Sequence, residues 1–329
     1  MKKKSMFIMS LLLVVVLSLS ACGKSEGGKK DEKSEWDNSV AMVLSGLITD
    51  EAFNQYTYEG MQRAKEELGI KTAYKENVTQ DEQVEVIRQF AQQGYQTIIG
   101  QGGQFGESLS IVAEEFPDTK FLFSVGTDTY DLPNMSAATV SYSHSGFIGG
   151  VLAALTTKTN KVAMVTGEFY DNHRAMEAGF YAGVKYVNPE IQTTAITTGD
   201  WADTVKAREA CLAVIAQGYD VLFPCLDAAG AGVAAAAQDS KDVWVVGSVA
   251  DYAAAYGAKD VTAGSVVFAW EQLGYLEAKG ELSDGKSHIL GMEEKGIEPV
   301  INLELTSEQK AVYDKAVEDL IAGKVDIAD

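Results

Sequence analysis

Short apolar runs alternate along this chain with longer stretches in which apolar residues recur every three to four positions. The runs contain many β-branched residues and few charges, a pattern typical of strands that are buried on both faces of a parallel sheet. The stretches between them have one apolar and one polar side at the helical period, which predicts helices that cross from one strand to the next. The pattern therefore predicts an α/β protein.

The predicted elements fall into two successive series. In the first series, strands are predicted over 40–44, 71–74, 97–100, 120–125 and 137–140, with helices after Asp50 and over 80–93 and 107–115. In the second series, helices are predicted over 145–156, 172–188, 203–217 and 232–237, with strands over 162–166, 193–197, 221–224 and 243–246. Two such series predict two Rossmann-like lobes that follow one another without a proline-rich linker.

The C-terminal part of the chain supplies elements to both predicted lobes. A strand edge followed by a helix is predicted over 264–279, and a last amphipathic helix over 307–321. If each of these elements completes a different lobe, the chain must cross between the lobes three times. The predicted first lobe comprises 38–141 plus 251–285, and the predicted second lobe comprises 142–250 plus 286–329.

The N-terminal region has the parts of a signal peptide, which we predict over 1–21. Lysines at 2–4 precede an apolar run over 6–19, which is shorter than the about 20 residues that span a bilayer. The sequence LSAC at 19–22 resembles the lipobox of bacterial lipoproteins, which predicts lipid attachment at Cys22. An ordinary secretory peptide is the alternative. Residues 22–37 are small and charged and predict a flexible linker, so the mature protein is expected on the extracytoplasmic face of the cell membrane.

Acidic side chains dominate the chain, with 47 Asp and Glu against 27 Lys and Arg and a formal net charge of −20. Nucleic acid and anionic membrane surfaces repel such a chain, so we expect no nucleic-acid partner and a membrane attachment that comes from the lipid. Besides Cys22, the sequence contains Cys211 and Cys225. They either pair in an oxidising compartment or, as their apolar surroundings favour, are buried as small apolar residues.

Polar and aromatic residues collect where the predicted strands end. After the first strand, Asp50, Asn54 and Tyr58 follow one another at one-turn spacing, and ligands of open α/β sheets bind at this end of the strands. The structural alternative is that Asp50 only caps the helix and Tyr58 only packs. The other strand ends are rich in glycine, aspartate and aromatic residues, which suit a neutral ligand with a planar group and several hydroxyls. Two such lobes predict a clamp that holds a ligand between them.

The block SGLITDEAFNQYTYEG at 45–60 resembles the opening motif of the basic membrane protein family, lipoproteins that bind purine nucleosides for ABC importers. Further blocks resemble that family: AEEFPDTKF at 113–121, GGVLAAL at 149–155, GFYAGVK at 179–185, GDWAD at 199–203, GAGV at 230–233 and LIAGKV at 320–325. The resemblance extends over nearly all of the chain after the linker. It implies a type I periplasmic-binding-protein fold with a hinge between the lobes, a purine ligand, an ABC transporter permease as partner, and a monomer.

The resemblance also implies roles for individual residues. A purine is expected to stack between Tyr58 of one lobe and Trp201 of the other, while carboxylates and amides hold the ribose or the base edge. The remaining positions that we assign to the ligand site are Asp50, Asn54, Asp128, Asp251, Gly230 and Phe268.

Two stretches depart from the family pattern. Val249 and Tyr252 stand where the family has an acid and an amide, and Phe268 stands where it has a lysine that contacts the purine. The loss of a cation and a carboxylate leaves a free base such as adenine or hypoxanthine, or a different planar solute, as alternatives to a nucleoside.

Two other classes of function stay open at this point. The sequence GAGVAA at 230–235, with Asp251 further on, formally matches a dinucleotide fingerprint, although it lies late in the second series rather than in a first βα unit. The three histidines are scattered and belong to no metal-ligand spacing or catalytic motif, so we expect no enzyme activity, no metal and no cofactor. The second alternative is a lipoprotein adhesin or receptor that transports no small molecule.

Overall fold

The computed structural model describes residues 39–50 and 53–327. The predicted signal peptide, Cys22 and the linker lie outside the described residues. The strands are β1 (Ser39–Leu44), β2 (Lys71–Lys75), β3 (Thr97–Gln101), β4 (Lys120–Ser124), β5 (Met135–Val140), β6 (Lys161–Thr166), β7 (Gln192–Thr197), β8 (Val221–Cys225), β9 (Trp244–Val249), β10 (Thr262–Phe268), β11 (Ser287–Leu290) and β12 (Ile297–Ile301). The helices are α1 (Phe53–Leu68), α2 (Gln83–Gln92), α3 (Gly106–Glu115), α4 (Tyr142–Thr156), α5 (Asp171–Val187), α6 (Thr204–Ile215), α7 (Gly230–Gln238), α8 (Tyr252–Ala255), α9 (Trp270–Lys279) and α10 (Ser307–Ile321).

The described strands form two six-stranded sheets, one in each lobe. The first sheet has the order β11-β5-β4-β3-β1-β2, and the second has the order β12-β10-β9-β8-β6-β7. Neighbouring strands run parallel except for β12, which pairs antiparallel with β10 at the edge of the second sheet. The central strands β1, β3 and β8 are buried along their whole length, because helices cover both faces of each sheet.

The chain passes between the two sheets three times, which equals the predicted number of crossings, but the boundaries differ from the predicted ones. Strand β10 pairs with β9 and β12, so 262–268 belong to the second sheet rather than to the first lobe. Strand β11 pairs with β5, so 287–290 belong to the first sheet rather than to the second lobe. A strand looks the same in sequence whichever sheet it joins, and long-range pairing decides its partner.

The helices α1 and α9 are in close contact in the first lobe, although more than 200 residues lie between them. A Cβ atom at Gly60 would stand 2.1 Å from the Glu271 carbonyl oxygen, and one at Gly274 would stand 2.2 Å from the Thr57 carbonyl oxygen. Only glycine permits this separation of the two backbones. Helix α9, which follows the second crossing, is thereby held on the first lobe. The predicted segment 251–285 placed it there.

Glycines allow the same close approach between α4 and α5 in the second lobe. A Cβ atom at Gly146 would stand 2.0 Å from the Met176 carbonyl oxygen, and one at Gly179 would stand 2.1 Å from the Ser143 carbonyl oxygen. Two of the blocks that carry the family resemblance, at 149–155 and 179–185, lie on these helices. They therefore take part in the close contact between these two helices.

The thiols of Cys211 and Cys225 are both free and buried. Burial raises the pKa of each to about 12, so neither is ionised at neutral pH. Of the two states that the sequence left open, the structure has the one in which both residues are small core side chains. Within 39–50 and 53–327, no helix combines the length and the apolar character that a membrane span requires.

Candidate functional site

A cavity of about 430 Å³ lies between the two lobes, where the carboxyl ends of strands from both sheets face each other. This volume is within the range of small-molecule pockets, about 300–1,000 Å³. Its described lining consists of Ser45, Phe53, Asn54, Gly102, Gly103, Gln104, Val125, Tyr142, Tyr170, His173, Trp201, Cys225, Leu226, Asp227, Val249 and Trp270. This is the position that the predicted clamp assigns to a ligand.

The first-lobe wall is built on the start of α1. Oδ2 of Asp50 accepts from the backbone N of Asn54 at 3.0 Å and from its Nδ2 at 2.7 Å, and Oδ1 accepts from the backbone N of Gln55 at 3.0 Å. Asp50 therefore caps the helix and also fixes the Asn54 amide. Oδ1 of Asn54 is buried without a hydrogen-bond partner, and the residue is only 8% exposed. A ligand that donates a hydrogen bond to this oxygen removes the free-energy cost of leaving it unpaired.

Aromatic rings form most of the second-lobe wall. The ring centroids of Trp201 and His173 lie 4.7 Å apart. Trp201 also stacks with Tyr170, with their ring centroids 6.1 Å apart and their planes 18° from parallel. Burial lowers the pKa of His173 to about 4, so its imidazole is neutral at physiological pH, and its Nδ1 has no partner. The wall thus presents flat apolar faces of the kind that stack on a planar ligand.

A series of ring contacts continues from this wall through the crossing between the lobes. Tyr142 lies 5.5 Å from His173 and 4.9 Å from Phe268, centroid to centroid. Phe268 lies 5.3 Å from Trp270, which in turn lies 5.1 Å from Phe53 of the first lobe. Edge-to-face contacts of this kind stabilise a defined arrangement. The walls of the cavity are therefore connected by packed rings at the point where the chain crosses.

The cavity lining carries a negative charge. Burial, and after it the nearby Asp50 carboxylate, raises the pKa of Asp227 to about 6, so Asp227 is mostly ionised at neutral pH. Asp50 belongs to the first lobe and Asp227 follows β8 of the second, which means that the two carboxylates act on each other across the cleft. Among the described residues of the lining there is no Lys or Arg.

A larger cavity of about 780 Å³ adjoins the first, and both are lined by Val249 and Trp270. It lies beside the crossing segment and is lined by Tyr56 and Arg63 of α1, by Asp251 and by Phe268. Oδ1 of Asp251 accepts from the backbone N of Ala253 and so caps α8. Arg63 is neutralised by Glu271, at 2.6 Å between Nη1 and Oε1.

The structure brings some of the assigned site residues together and separates others. Asn54 and Trp201 line the smaller cavity from opposite lobes, and Asp50 holds Asn54 from behind. Asp251 and Phe268 line the adjoining larger cavity. These five residues thus surround one cleft.

The other three assigned residues lie outside the described linings of both cavities. The Tyr58 ring packs edge-on against Tyr74 of β2 at 4.8 Å, as the packing alternative expects. Oδ1 of the exposed Asp128 accepts from the backbone N of Tyr130 within a loop. A Cβ atom at Gly230 would stand 2.5 Å from the Tyr252 hydroxyl oxygen, so this glycine makes room for a packed tyrosine.

Several lining residues were not assigned from the sequence. Phe53 precedes Asn54 within the motif that carries the resemblance, and its ring rather than that of Tyr58 reaches the cavity from α1. Asp227 follows the end of β8, one of the strand ends that are rich in glycine and aspartate, where no single residue was predicted. No local sequence pattern marked Trp270 as a cavity residue, because it reaches the cavity only through the crossing and the packing of α9 on α1. Within the described residues, no group of histidines, cysteines and acids could hold a metal ion.

Comparison with known proteins agrees with this architecture. A family model described as ABC transporter substrate-binding protein, PnrA-like, matches residues 38–327. An ABC transporter nucleoside-binding protein BmpA of Lactococcus lactis subsp. cremoris is 27% identical, with 99% of each chain covered. A CD4+ T-cell-stimulating antigen of Listeria innocua is 30% identical, with 97% of this chain and 83% of the relative covered. A solved ABC transporter solute-binding protein from Conexibacter woesei is 26% identical with a TM-score of 0.69, and covers 88% of this chain and 97% of its own.

The predicted fold class is confirmed by these matches together with the two parallel-dominated sheets. The lobes are those of a type I periplasmic binding protein. The family consists of solute-binding proteins, and the sequence at 230–235 forms the start of α7. The chain belongs to the basic membrane protein family of PnrA-like ABC transporter substrate-binding proteins.

Proposed function

We propose that this protein captures a purine nucleoside, or the free purine base, between its two lobes and delivers it to the permease of an ABC importer. Family membership supports capture of a small solute, and the name of the Lactococcus lactis relative supports a nucleoside. The observation that carries the proposal is the cavity itself, with aromatic faces on opposite walls and polar groups at its margin. A flat base between two rings is the ligand that such walls hold best.

The first-lobe stacking ring in this proposal is Phe53, with Trp201 as its counterpart in the second lobe. Phe53 is supported from behind by Trp270, and Trp201 is supported by Tyr170 and His173. Each ring is thus held in place before a ligand arrives, which lowers the entropy cost of binding. Tyr58 and Asp128 have no direct contact with the ligand in this arrangement.

The polar contacts come from both lobes. Oδ1 of Asn54 accepts a hydrogen bond from the solute, and the Asp227 carboxylate accepts another from the opposite side. A solute that bonds to both lobes stabilises the closed arrangement relative to the open one, because only the closed state makes both contacts. Closure about the crossing segments then presents a loaded surface to the permease.

The attachment in this proposal is a lipid on Cys22, with residues 22–37 as the spacer to the membrane. Cys22 follows an apolar run and small residues in the sequence, as a lipoprotein signal requires. The folded part then works as a monomer at the extracytoplasmic face, where it collects solute for the permease.

Thermal unfolding with a panel of purines tests the proposal. A bound ligand stabilises the folded state by RT ln(1 + [L]/Kd), about 2.7 kcal/mol at a hundredfold excess over Kd. We expect adenosine, guanosine, inosine, adenine or hypoxanthine to raise the melting temperature, and titration calorimetry to give one site per chain. An adhesin or receptor role predicts no stabilisation by any of them, and a dinucleotide-binding role predicts stabilisation by nicotinamide dinucleotides instead.

A further inference from the structure

The charge of the cavity is not balanced within its own lining. Asp227 is ionised at neutral pH, Asp50 stands close to it across the cleft, and His173 is neutral. No Lys or Arg is present among the described residues that line this cavity, so no cationic side chain of the lining offsets the Asp227 carboxylate. A positive charge or hydrogen-bond donors on a ligand would favour the ionised form of this buried carboxylate.

The aromatic faces around this negative charge suit a cation as well. The Tyr170 and Trp201 rings are nearly parallel, and Phe53 and Trp270 meet on the opposite wall. The face of an aromatic ring carries negative partial charge and attracts cations, most strongly for Trp and for sites shielded from water. The rings and the carboxylates therefore both attract a positively charged ligand.

A third observation concerns the polar atoms that lack partners. The Asn54 amide is oriented by Asp50, because its Nδ2 donates to Asp50 Oδ2 at 2.7 Å. Oδ1 of Asn54 is consequently the atom left for the ligand, and it is buried without a partner. This atom requires a donor. Two acceptors at the cavity, Asn54 Oδ1 and the Asp227 carboxylate, therefore favour a ligand that donates hydrogen bonds.

From these observations we propose that the cavity selects a flat heteroaromatic solute that carries a positive charge over its neutral counterpart. An N-alkylated purine nucleoside is a solute of this class. The proposal rests on the proposed function, because it specifies the charge of the solute that the same cavity takes. The cation lies between the rings of both lobes, next to Asp227, and donates to Asn54.

Matched pairs of ligands test the proposal on the full-length protein by titration calorimetry at neutral pH. The first pair is 1-methyladenosine, which is a cation at this pH, and 1-methylinosine, which carries the same methyl group but is neutral. The second pair is N-methylquinolinium and quinoline, which contain no purine. We expect the cation of each pair to bind about tenfold more tightly, as cation–π and carboxylate contacts in a shielded site predict.

Substitution of the carboxylate gives an independent measure. Asp227→Asn keeps the size of the side chain and removes its charge, so the affinity for the cation should fall more than the affinity for the neutral member of each pair, and the preference for the cation should fall several-fold. Asp260→Asn is the control, because Asp260 is exposed in the same lobe and outside the cavity lining, and it changes the net charge of the protein by the same amount. The preference should be unaffected in the control.

The two pairs distinguish failure of this inference from failure of the proposed function. Equal or tighter binding of 1-methylinosine than of 1-methyladenosine overturns the charge preference and leaves purine capture intact. If no purine binds and N-methylquinolinium still exceeds quinoline, the purine assignment is wrong and the charge preference stands. If neither cation binds better than its neutral partner, or if nothing binds, the charge preference is wrong.

Discussion

The first-lobe wall of the cavity offers two rings and a buried amide, whereas the second-lobe wall offers a cluster of four rings and a carboxylate. The difference continues behind the walls. In the first lobe, Oε1 of Gln101, Oγ of Ser124 and both carboxylate oxygens of Glu277 are buried without hydrogen-bond partners. In the second lobe, Phe180 and Phe223 stack at 5.1 Å, with their planes 5° from parallel.

This contrast assigns different properties to the two lobes. Buried polar groups without partners cost stability, so the first lobe carries an energetic penalty directly below its cavity wall. Gln101 lies at the carboxyl end of β3, next to Gly102 of the lining, and Ser124 pairs with it in register on β4. The second lobe supplies a rigid aromatic surface. The first lobe also holds the buried acid with the larger rise in pKa, Glu277, so its stability depends on pH through that residue.

The largest expected effect concerns Glu277. Burial raises the pKa of Glu277 from 4.5 to about 8, against a weaker opposite effect of the nearby Ser124 hydroxyl. The folded state therefore holds a proton that the unfolded chain releases, so the free energy of unfolding falls as the pH rises from about 4.5 to about 8. Glu277→Gln should remove most of this decline, on the order of 3 kcal/mol over the interval. Denaturant unfolding at several pH values measures it.

Glu66→Gln is the matched control for that experiment, since Glu66 is an exposed residue of α1 in the same lobe. It should leave the pH dependence of wild type unchanged. A wild-type protein whose stability stays constant between pH 5 and pH 8 would show that Glu277 is satisfied in solution and that the contrast between the lobes is smaller than we infer.

The second effect concerns the two opposing rings. Phe53→Ala and Trp201→Ala should each weaken purine binding by about 1–3 kcal/mol, or roughly tenfold to a hundredfold in Kd, since each removes a stacking face. Trp201→Phe should lose much less, because a smaller face remains. Tyr58→Ala should keep the affinity of wild type, because its ring packs on Tyr74. Calorimetric titration decides between the rings: a larger loss in Tyr58→Ala than in Phe53→Ala would restore Tyr58 as the first-lobe ring.

A smaller effect is expected at the helix cap below the first-lobe wall. Asp50→Ala removes an acceptor for three N–H groups of α1 and should cost about 0.5–2 kcal/mol of stability. Because the Asn54 amide then loses its orientation, solute affinity should fall as well. Asp128→Ala, in an exposed loop of the same lobe, serves as the reference and should change neither quantity measurably. A loss of stability with unchanged affinity would limit Asp50 to capping.

The smallest effect is expected at the rim of the second-lobe wall. Tyr170 is 57% exposed and stacks on Trp201 from the solvent side. Tyr170→Ala should therefore weaken binding by less than about 1 kcal/mol, because partly exposed ring pairs contribute modestly. A loss as large as that of Trp201→Ala would mean that Tyr170 contacts the solute directly rather than only supporting Trp201.

Local patterning was enough to predict the α/β class, the two lobes and most strands and helices, because short apolar runs and period-3.6 apolar spacing depend on residues close in the chain. The motif at 45–60 was enough to place Asn54 at the cavity between the lobes, since a strand end followed by a helix start has a fixed position in such folds.

Long-range packing decided the rest. Strand β10 joined the second sheet and β11 the first, because pairing partners depend on contacts that no local pattern encodes. Phe53 rather than Tyr58 reached the cavity, because the rotation of α1 is set by its close contact with α9 at Gly60. Asp227 and Trp270 became cavity residues only when folding brought separate strand ends and the crossing segment together. Residue types and their order thus specify the elements, while the distances between side chains arise from tertiary packing that brings remote segments into contact.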